Sequence, residues 1–284
     1  MPANIKALKA RIRSVDSTMH ITKAMELVAS SKIKKATAKM EESRFYRKVM
    51  EEAFADLALS DTPYSHASDA PALYIAIAGD RGLAGGYNNN IFKAVRERIQ
   101  PGDMVLPIGR RPLEYFRHHG YALFSEDYDS SERIRSNDCA DIGMDVTLAF
   151  DEGKIGAVYL VYTEFVNMLT QEAQCKQLIP LVPPASQEKK GEAKDANQPY
   201  PVQTVYEPDS GTVLSALIPE YIAGVVYSSS CMSFASELAA RRQAMDTATK
   251  NAGEMIDDLN LKYNRARQGA ITQEITEIIA GANN

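Results

Sequence analysis

Apolar residues recur with a helical period at the two ends of the chain and as short strand-like runs in the middle. Ile5, Leu8, Ile12, Val15 and Met19 follow one another at intervals of 3, 4, 3 and 4, the spacing of a coiled-coil seam. Beyond Met19 the apolar positions Ile21, Met25, Val28 and Ile33 predict a shift of register, which would locally change the supercoil. Near the other end Leu238, Met245, Ala252, Leu259 and Ala266 stand seven apart, with Thr249, Ile256, Tyr263 and Ala270 as a second row. Alanine on such a seam lets two backbones approach, while Leu, Met and Tyr fill the space between. No proline lies between Pro2 and Pro63, or from Glu220 to Asn284. Because a proline inside a helix costs about 3 kcal/mol, each stretch can be one helix some 90 Å long, at about 1.5 Å per residue. Pro219 then belongs near the start of the second helix, tolerable only in a first turn or at a kink. So long a helix must bury its stripe against something extended. The simplest partner for each is the other, antiparallel, with a domain inserted between them; the alternative is two independent helices in a homo-oligomer.

The middle of the chain has a different grammar. Leu73 to Ala78 is an apolar run, followed by a turn holding Gly79, Gly82, Gly85 and Gly86 and then by a helical pattern over 88–100. The unit recurs: a strand at 104–108 before a helix at 110–118, a strand at 121–124 before a helix at 137–150, then strands at 155–161 and 174–181. Strands alternating with short helices predict an α/β layer on a mostly parallel sheet. The proline-containing polar stretch 183–201 reads as a surface loop or hairpin.

Composition narrows the class. With 45% hydrophobic and 24% charged residues the chain can form an ordinary core. No run reaches the roughly 20 uninterrupted apolar residues of a membrane-spanning helix, and the lysine- and arginine-rich N-terminus lacks the apolar centre of a signal peptide. This predicts a soluble, unprocessed protein. Cys139, Cys175 and Cys231 are widely spaced and odd in number, consistent with reduced thiols in a cytoplasmic protein. The net charge of −5 hides an asymmetry. Residues 1–40 hold Lys6, Lys9, Arg11, Arg13, Lys23, Lys32, Lys34, Lys35 and Lys39 against only Asp16 and Glu26. A basic helix can meet nucleic acid, a membrane surface or an acidic protein, or be a solvated face. The first 40 residues contain no aromatic side chain on which bases could stack, which argues against single-stranded nucleic acid.

The glycine turn is the best candidate for chemistry, since a strand, a glycine turn and a helix N-terminus can cradle phosphate. Its detail argues otherwise: Asp80-Arg-Gly-Leu-Ala-Gly-Gly-Tyr-Asn88 is neither a P-loop nor G-x-G-x-x-G, and Asp80 would repel a phosphate. Gly82, Gly85 and Gly86 therefore read as a structural turn. The four histidines have no metal-ligand spacing, and His118 and His119 fit a helix end, where they favour the dipole. No catalytic constellation, cofactor site or metal site is expected.

Five segments together resemble the gamma subunit of F-type rotary ATP synthases, in its bacterial form. They are Ile5 to Val15 with Ile21 to Lys32, the turn Gly79-Asp-Arg-Gly-Leu-Ala-Gly-Gly-Tyr-Asn88, Ala235 to Ala252, and Tyr263 to Ile275. The resemblance implies an α/β fold in which a Rossmann-like open sheet is inserted between two terminal helices that form a long antiparallel coiled coil. Its boundaries would be 1–62 for the first helix, 70–206 for the inserted domain with the loop 183–201, and 208–284 for the last helix. It further implies a central shaft that couples ion-driven rotation of a c-ring to the catalytic beta subunits without a catalytic site of its own. The partners implied are the alpha and beta subunits, the epsilon subunit and the c-ring, with no nucleic acid, at the cytoplasmic side of a bacterial cell membrane. Met25 resembles the shaft methionine near the beta subunits and Arg241 the arginine on the facing helix. Gln273 and Glu274 resemble the polar residues near the tip, and Tyr206 and Glu207 the foot residues over the c-ring. The basic residues Lys9, Arg11 and Arg13 are expected to face an acidic patch on the ring. From the residues alone, a nucleotide-binding α/β protein with coiled-coil arms and a structural tether stay open as alternatives.

Overall fold

The computed structural model describes residues 2–57, 63–66, 68–181 and 207–282. The loop 183–201 and Tyr206 lie outside the described residues. Helix α1 spans Pro2–Leu57 and helix α5 spans Ser210–Ala282. The chain divides into two compact units.

One unit comprises Met1–Lys32, Leu83–Gly85 and Leu238–Asn284. Here α1 and α5 pair antiparallel, and the Thr22 and Thr249 hydroxyls meet at 2.8 Å. Leu238, Met245, Ala252 and Leu259 are buried, with Thr249, Ile256, Tyr263, Ala266 and Ala270 half-buried, so the C-terminal seam lies where its heptad predicts. On α1 the expected register shift does not occur. Ile21 and Val28 are 61% and 57% exposed, and the seam instead passes through half-buried Thr22 and Glu26 to buried Ala29. The 3,4 spacing is thus unbroken, carried by residues too polar or too small to register as apolar. The polar step is tolerated because the Thr22 hydroxyl is met by Thr249 and by the Met19 carbonyl at 3.0 Å.

The second unit comprises Ile33–Gly82 and Gly86–Glu237. Its five-stranded sheet has the order β3-β2-β1-β4-β5, with β1 at Ala72–Ile77, β2 at Met104–Ile108, β3 at Ala122–Leu123, β4 at Ala157–Phe165 and β5 at Gln171–Ile179. All neighbours are parallel except β4 and β5. Helices α2 (Tyr87–Arg96), α3 (Arg110–His118) and α4 (Ser136–Asp151) make the crossovers. Central strand β1 is buried on both faces, as a parallel strand between layers must be. Tyr74, Ala76 and Ala78 join Ile91, Phe92 and Val95 of α2 and Phe116 of α3 in one cluster. His118 closes α3 and His119 caps it, as expected.

Between Tyr221 and Ala239, α5 is buried at all but two positions, and an 18-residue window of this helix is apolar enough to cross a membrane by length and composition. Half of that window is buried inside the protein, which is the pattern of a core helix. Pro219 lies near the start of α5, as expected, though beyond its first turn. Its carbonyl faces Gly143 of α4, where an added Cβ would stand 2.2 Å from the oxygen. The two helices approach this closely because residue 143 has no side chain.

Candidate functional site

In an open α/β sheet a ligand binds beyond the carboxyl ends of the strands, where the strand order reverses. In this sheet that point lies between β1 and β4. The crevice is filled by α5. Ser233 Oγ accepts from the Thr163 backbone N–H at 3.4 Å, Ser236 Oγ donates to the Thr163 carbonyl at 3.3 Å, and the Tyr87 hydroxyl donates to the Ser233 carbonyl at 2.9 Å. Glu237 is buried against the end of β1, and a Cβ on Gly79 would stand 2.7 Å from its Cδ. Ser228, Ser229, Ser230, Ser233 and Ser236 are all buried and small enough to admit the helix, and Ser233 and Ser236 bond the strand end.

The glycine turn that follows β1 is held by its own local bonds. Gly85 takes φ +58°, a left-handed conformation that costs glycine little, and Gly86 caps α2. Leu83 also has a positive φ, 63°, and is 64% exposed. Gly82 lies against the Arg111 guanidinium. Asn88 staples the turn, accepting from the Gly79 N–H at 2.9 Å and donating to the Arg81 carbonyl at 3.1 Å. Asp80 sits at the N-terminus of α3, where its carboxylate accepts from the backbone N–H of Arg110 at 3.3 Å and of Ser131 at 2.8 Å, and from the Ser130 hydroxyl at 2.8 Å. A helix N-terminus favours an anion. At α3 that anion is the protein's own carboxylate.

The residues singled out on the helices are dispersed. Lys9, Arg11 and Arg13 are exposed, and among the described residues none of the three has an ion-pair partner. Gln273 and Glu274 are exposed, with Gln273 bonded to Glu277 at 2.9 Å, and Glu207 is exposed. Met25 is half-buried. With Thr22 facing Thr249, antiparallel counting puts Met25 at the level of Met245 and Asp246. Arg241 lies about 7 Å further along α5, at 1.5 Å per residue. Buried pairing stops at Ala270, and Ile271, Ile275, Ile278 and Ile279 form an exposed apolar stripe. A further stripe on α1, Ile21, Leu27 and Val28, is also exposed.

Sequence reasoning missed Ser233, Ser236 and Glu237, although the serines between Ser228 and Ser236 in an otherwise apolar stretch were a signal of close helix-to-strand packing. It also missed the ionic cluster around Arg47. Burial pushes the Cys139 thiol up to about 12, helped by the negative charge of Asp138, which makes it an inert thiol.

Two long helices paired antiparallel, with an open α/β sheet whose ligand crevice is closed by one of those helices, define a coiled-coil protein carrying a nucleotide-fold domain. The comparisons with known proteins narrow this to one family. The family model described as ATP synthase matches residues 4–284. The chain is 41% identical to an ATP synthase gamma chain of Ruminococcus albus and 40% identical to one of Alkaliphilus metalliredigens, covering 99% of both chains in each case. It is 39% identical to an ATP synthase gamma chain of Acetobacterium woodii described as sodium ion specific. The chain belongs to the ATP synthase gamma-chain family. Its fold matches a chain of the Euglena gracilis mitochondrial ATP synthase OSCP/F1/c-ring structure with TM-score 0.69 at 16% identity, over 100% of this chain and 95% of that one.

Proposed function

We propose that this chain is the rotating shaft of a membrane-bound ATP synthase and carries no catalytic site of its own. The observation that carries the reading is the filled crevice: Ser233, Ser236 and Glu237 occupy the position where an open α/β sheet takes a nucleotide. The same contacts that close the site tie α5 to the sheet, which a torque-bearing part requires.

In this reading the alpha and beta subunits surround the paired helices. Lys9, Arg11, Arg13, Met25, Arg241, Gln273 and Glu274 face that ring, and the apolar stripes at Ile21, Leu27 and Val28 and at Ile271, Ile275 and Ile278 find their cover there. Tyr206 and Glu207 belong to the foot, toward the epsilon subunit and the c-ring, on the cytoplasmic side of a bacterial membrane. The proposed bounds are 1–62 for the N-terminal helical segment, 70–206 for the α/β domain and 208–284 for the C-terminal helical segment. Ion flow turns the c-ring, the α/β domain takes up the torque, and the asymmetric helix pair presents a different face to each beta subunit in turn. Nucleotide affinity changes in the beta subunits, and the chemistry happens there.

Co-purification tests the assignment. Tagged beta subunit from cells carrying this chain should bring it down in stoichiometric amount. A chain that instead sediments alone as a stable symmetric dimer would support a tether, and saturable ATP or NAD binding by the isolated chain would support a nucleotide-binding protein.

A further inference from the structure

In the second unit the seam of α1 runs through Ile33, Ala36, Met40, Ser43, Arg47, Met50 and Phe54. Arg47 is the ionised member, and its side chain is only 13% exposed. Its Nε donates to Glu51 Oε1 at 2.8 Å. Its Nη1 donates to the Tyr162 hydroxyl of β4 at 3.5 Å and to Ser229 Oγ of α5 at 3.4 Å. The guanidinium also lies 5.7 Å from the centre of the Tyr162 ring. Glu51 in turn receives Lys176 Nζ from β5. Beside this group the Tyr162 hydroxyl donates to Glu164 at 2.8 Å, and Glu164 faces Arg44 of α1 at 3.8 Å. About two turns of α1, from Arg44 to Glu51, are thereby joined to β4, β5 and α5. Burial pushes the Glu51 carboxyl up, and the hydrogen bonds from Lys176 and Arg47 outweigh it and hold the group below its ordinary value, so it is ionised near neutrality.

An apolar seam specifies its register weakly. Turning or sliding the helix replaces one hydrophobic contact with a similar one. A buried charge with partners on three elements has no such alternative, because any displacement leaves it desolvated and unpaired. Polar groups at seam positions fix register in coiled coils for this reason, at some expense in stability. We propose that Arg47, Glu51 and Lys176 form a register lock that keeps α1 from turning or slipping against the sheet and α5 under torque. The proposal rests on the shaft reading, and it assigns these residues a positioning role in energy coupling.

The test uses the assembled enzyme in inverted membrane vesicles and a variant that removes the charges while keeping side-chain bulk: Arg47→Met with Glu51→Gln and Lys176→Met. Three quantities are compared with wild type: the thermal midpoint of the complex, the rate of ATP hydrolysis, and ions pumped per ATP. Replacing a buried or half-buried ionic group by neutral side chains of similar bulk commonly costs little stability, so the midpoint and hydrolysis should hold while the pumping ratio falls about twofold or more. Lys176→Arg keeps the contact and should keep the wild-type ratio. Arg47→Lys keeps the charge but loses the forked contacts to Tyr162 and Ser229, and should give an intermediate ratio even if the triple variant does not assemble. An unchanged ratio in the triple variant would overturn the lock, as would a loss that merely tracks a lower midpoint. A wild-type complex that hydrolyses ATP without pumping would overturn the shaft reading and the lock with it.

Discussion

Replacing Gly143 with alanine sets two physical effects of opposite sign against each other. Gly143 lies inside α4, where alanine is favoured over glycine by about 1 kcal/mol. The new Cβ, however, would stand 2.2 Å from the Pro219 carbonyl oxygen, 3.1 Å from its carbon and 3.4 Å from the Ala223 nitrogen. These are backbone atoms of a buried helix and cannot swing aside, so α4 must retreat by about 1 Å, and overpacking of this kind costs about 1–3 kcal/mol. The Gly143 carbonyl is itself held, accepting from the Thr147 hydroxyl at 2.7 Å, which restricts local relief. We expect the steric term to win, by up to about 2 kcal/mol, lowering the thermal midpoint by a few degrees for a chain of this size. Thermal unfolding followed by circular dichroism measures it. The internal control is Gly253→Ala in α5, where a Cβ meets nothing within 4 Å and propensity alone should raise the midpoint. A Gly143→Ala protein as stable as wild type, beside a stabilised Gly253→Ala, would refute the close approach of α4 and α5.

Three further expectations follow from the helices and their chemistry. Cysteines at Thr22 and Thr249, whose hydroxyls meet at 2.8 Å, should form a disulfide on mild oxidation, and absence of the crosslink in an assembled complex would contradict the antiparallel register. Reversing Lys9, Arg11 and Arg13 together to glutamate should weaken ATP-driven pumping, and more so at low salt, while single alanines change little, since exposed pairs are worth under about 1 kcal/mol each; normal pumping by the triple variant would remove the electrostatic contact. With its pKa raised to about 12 from 9.0, the Cys139 thiol should alkylate about a thousandfold more slowly near pH 8 in the folded chain than in the unfolded one, and rates within tenfold of each other would contradict its burial.

The paired helices were legible because a heptad of Leu, Met and Ala survives in plain hydrophobicity from Leu238 to Ala266. The strand and helix alternation from Leu73 to Phe150 was legible for the same reason. On α1 the trail was lost at Thr22, Glu26 and Ala29, which occupy seam positions through hydrogen bonding and small size; Ile21 and Val28, the greasier choices, face outward. The close approach of α4 to α5 at Pro219 was not legible either, because it depends on a glycine 76 positions earlier in another element. The role of Asp80 was half visible: its charge spoke against a phosphate site, but its bonds to Arg110, Ser130 and Ser131 depend on a loop that the sheet brings near. The Arg47 cluster was invisible because its members are separated by up to 182 residues, and nothing local marks a buried arginine.

Whether this chain turns can be observed directly. The direct measurement immobilises an assembled complex through its beta subunits, attaches a bead to a cysteine introduced at exposed Leu169 in the hairpin between β4 and β5, and supplies ATP. Unidirectional rotation of the bead at a rate set by ATP concentration is the predicted result. Full ATP hydrolysis with a bead that only fluctuates about one position would contradict it.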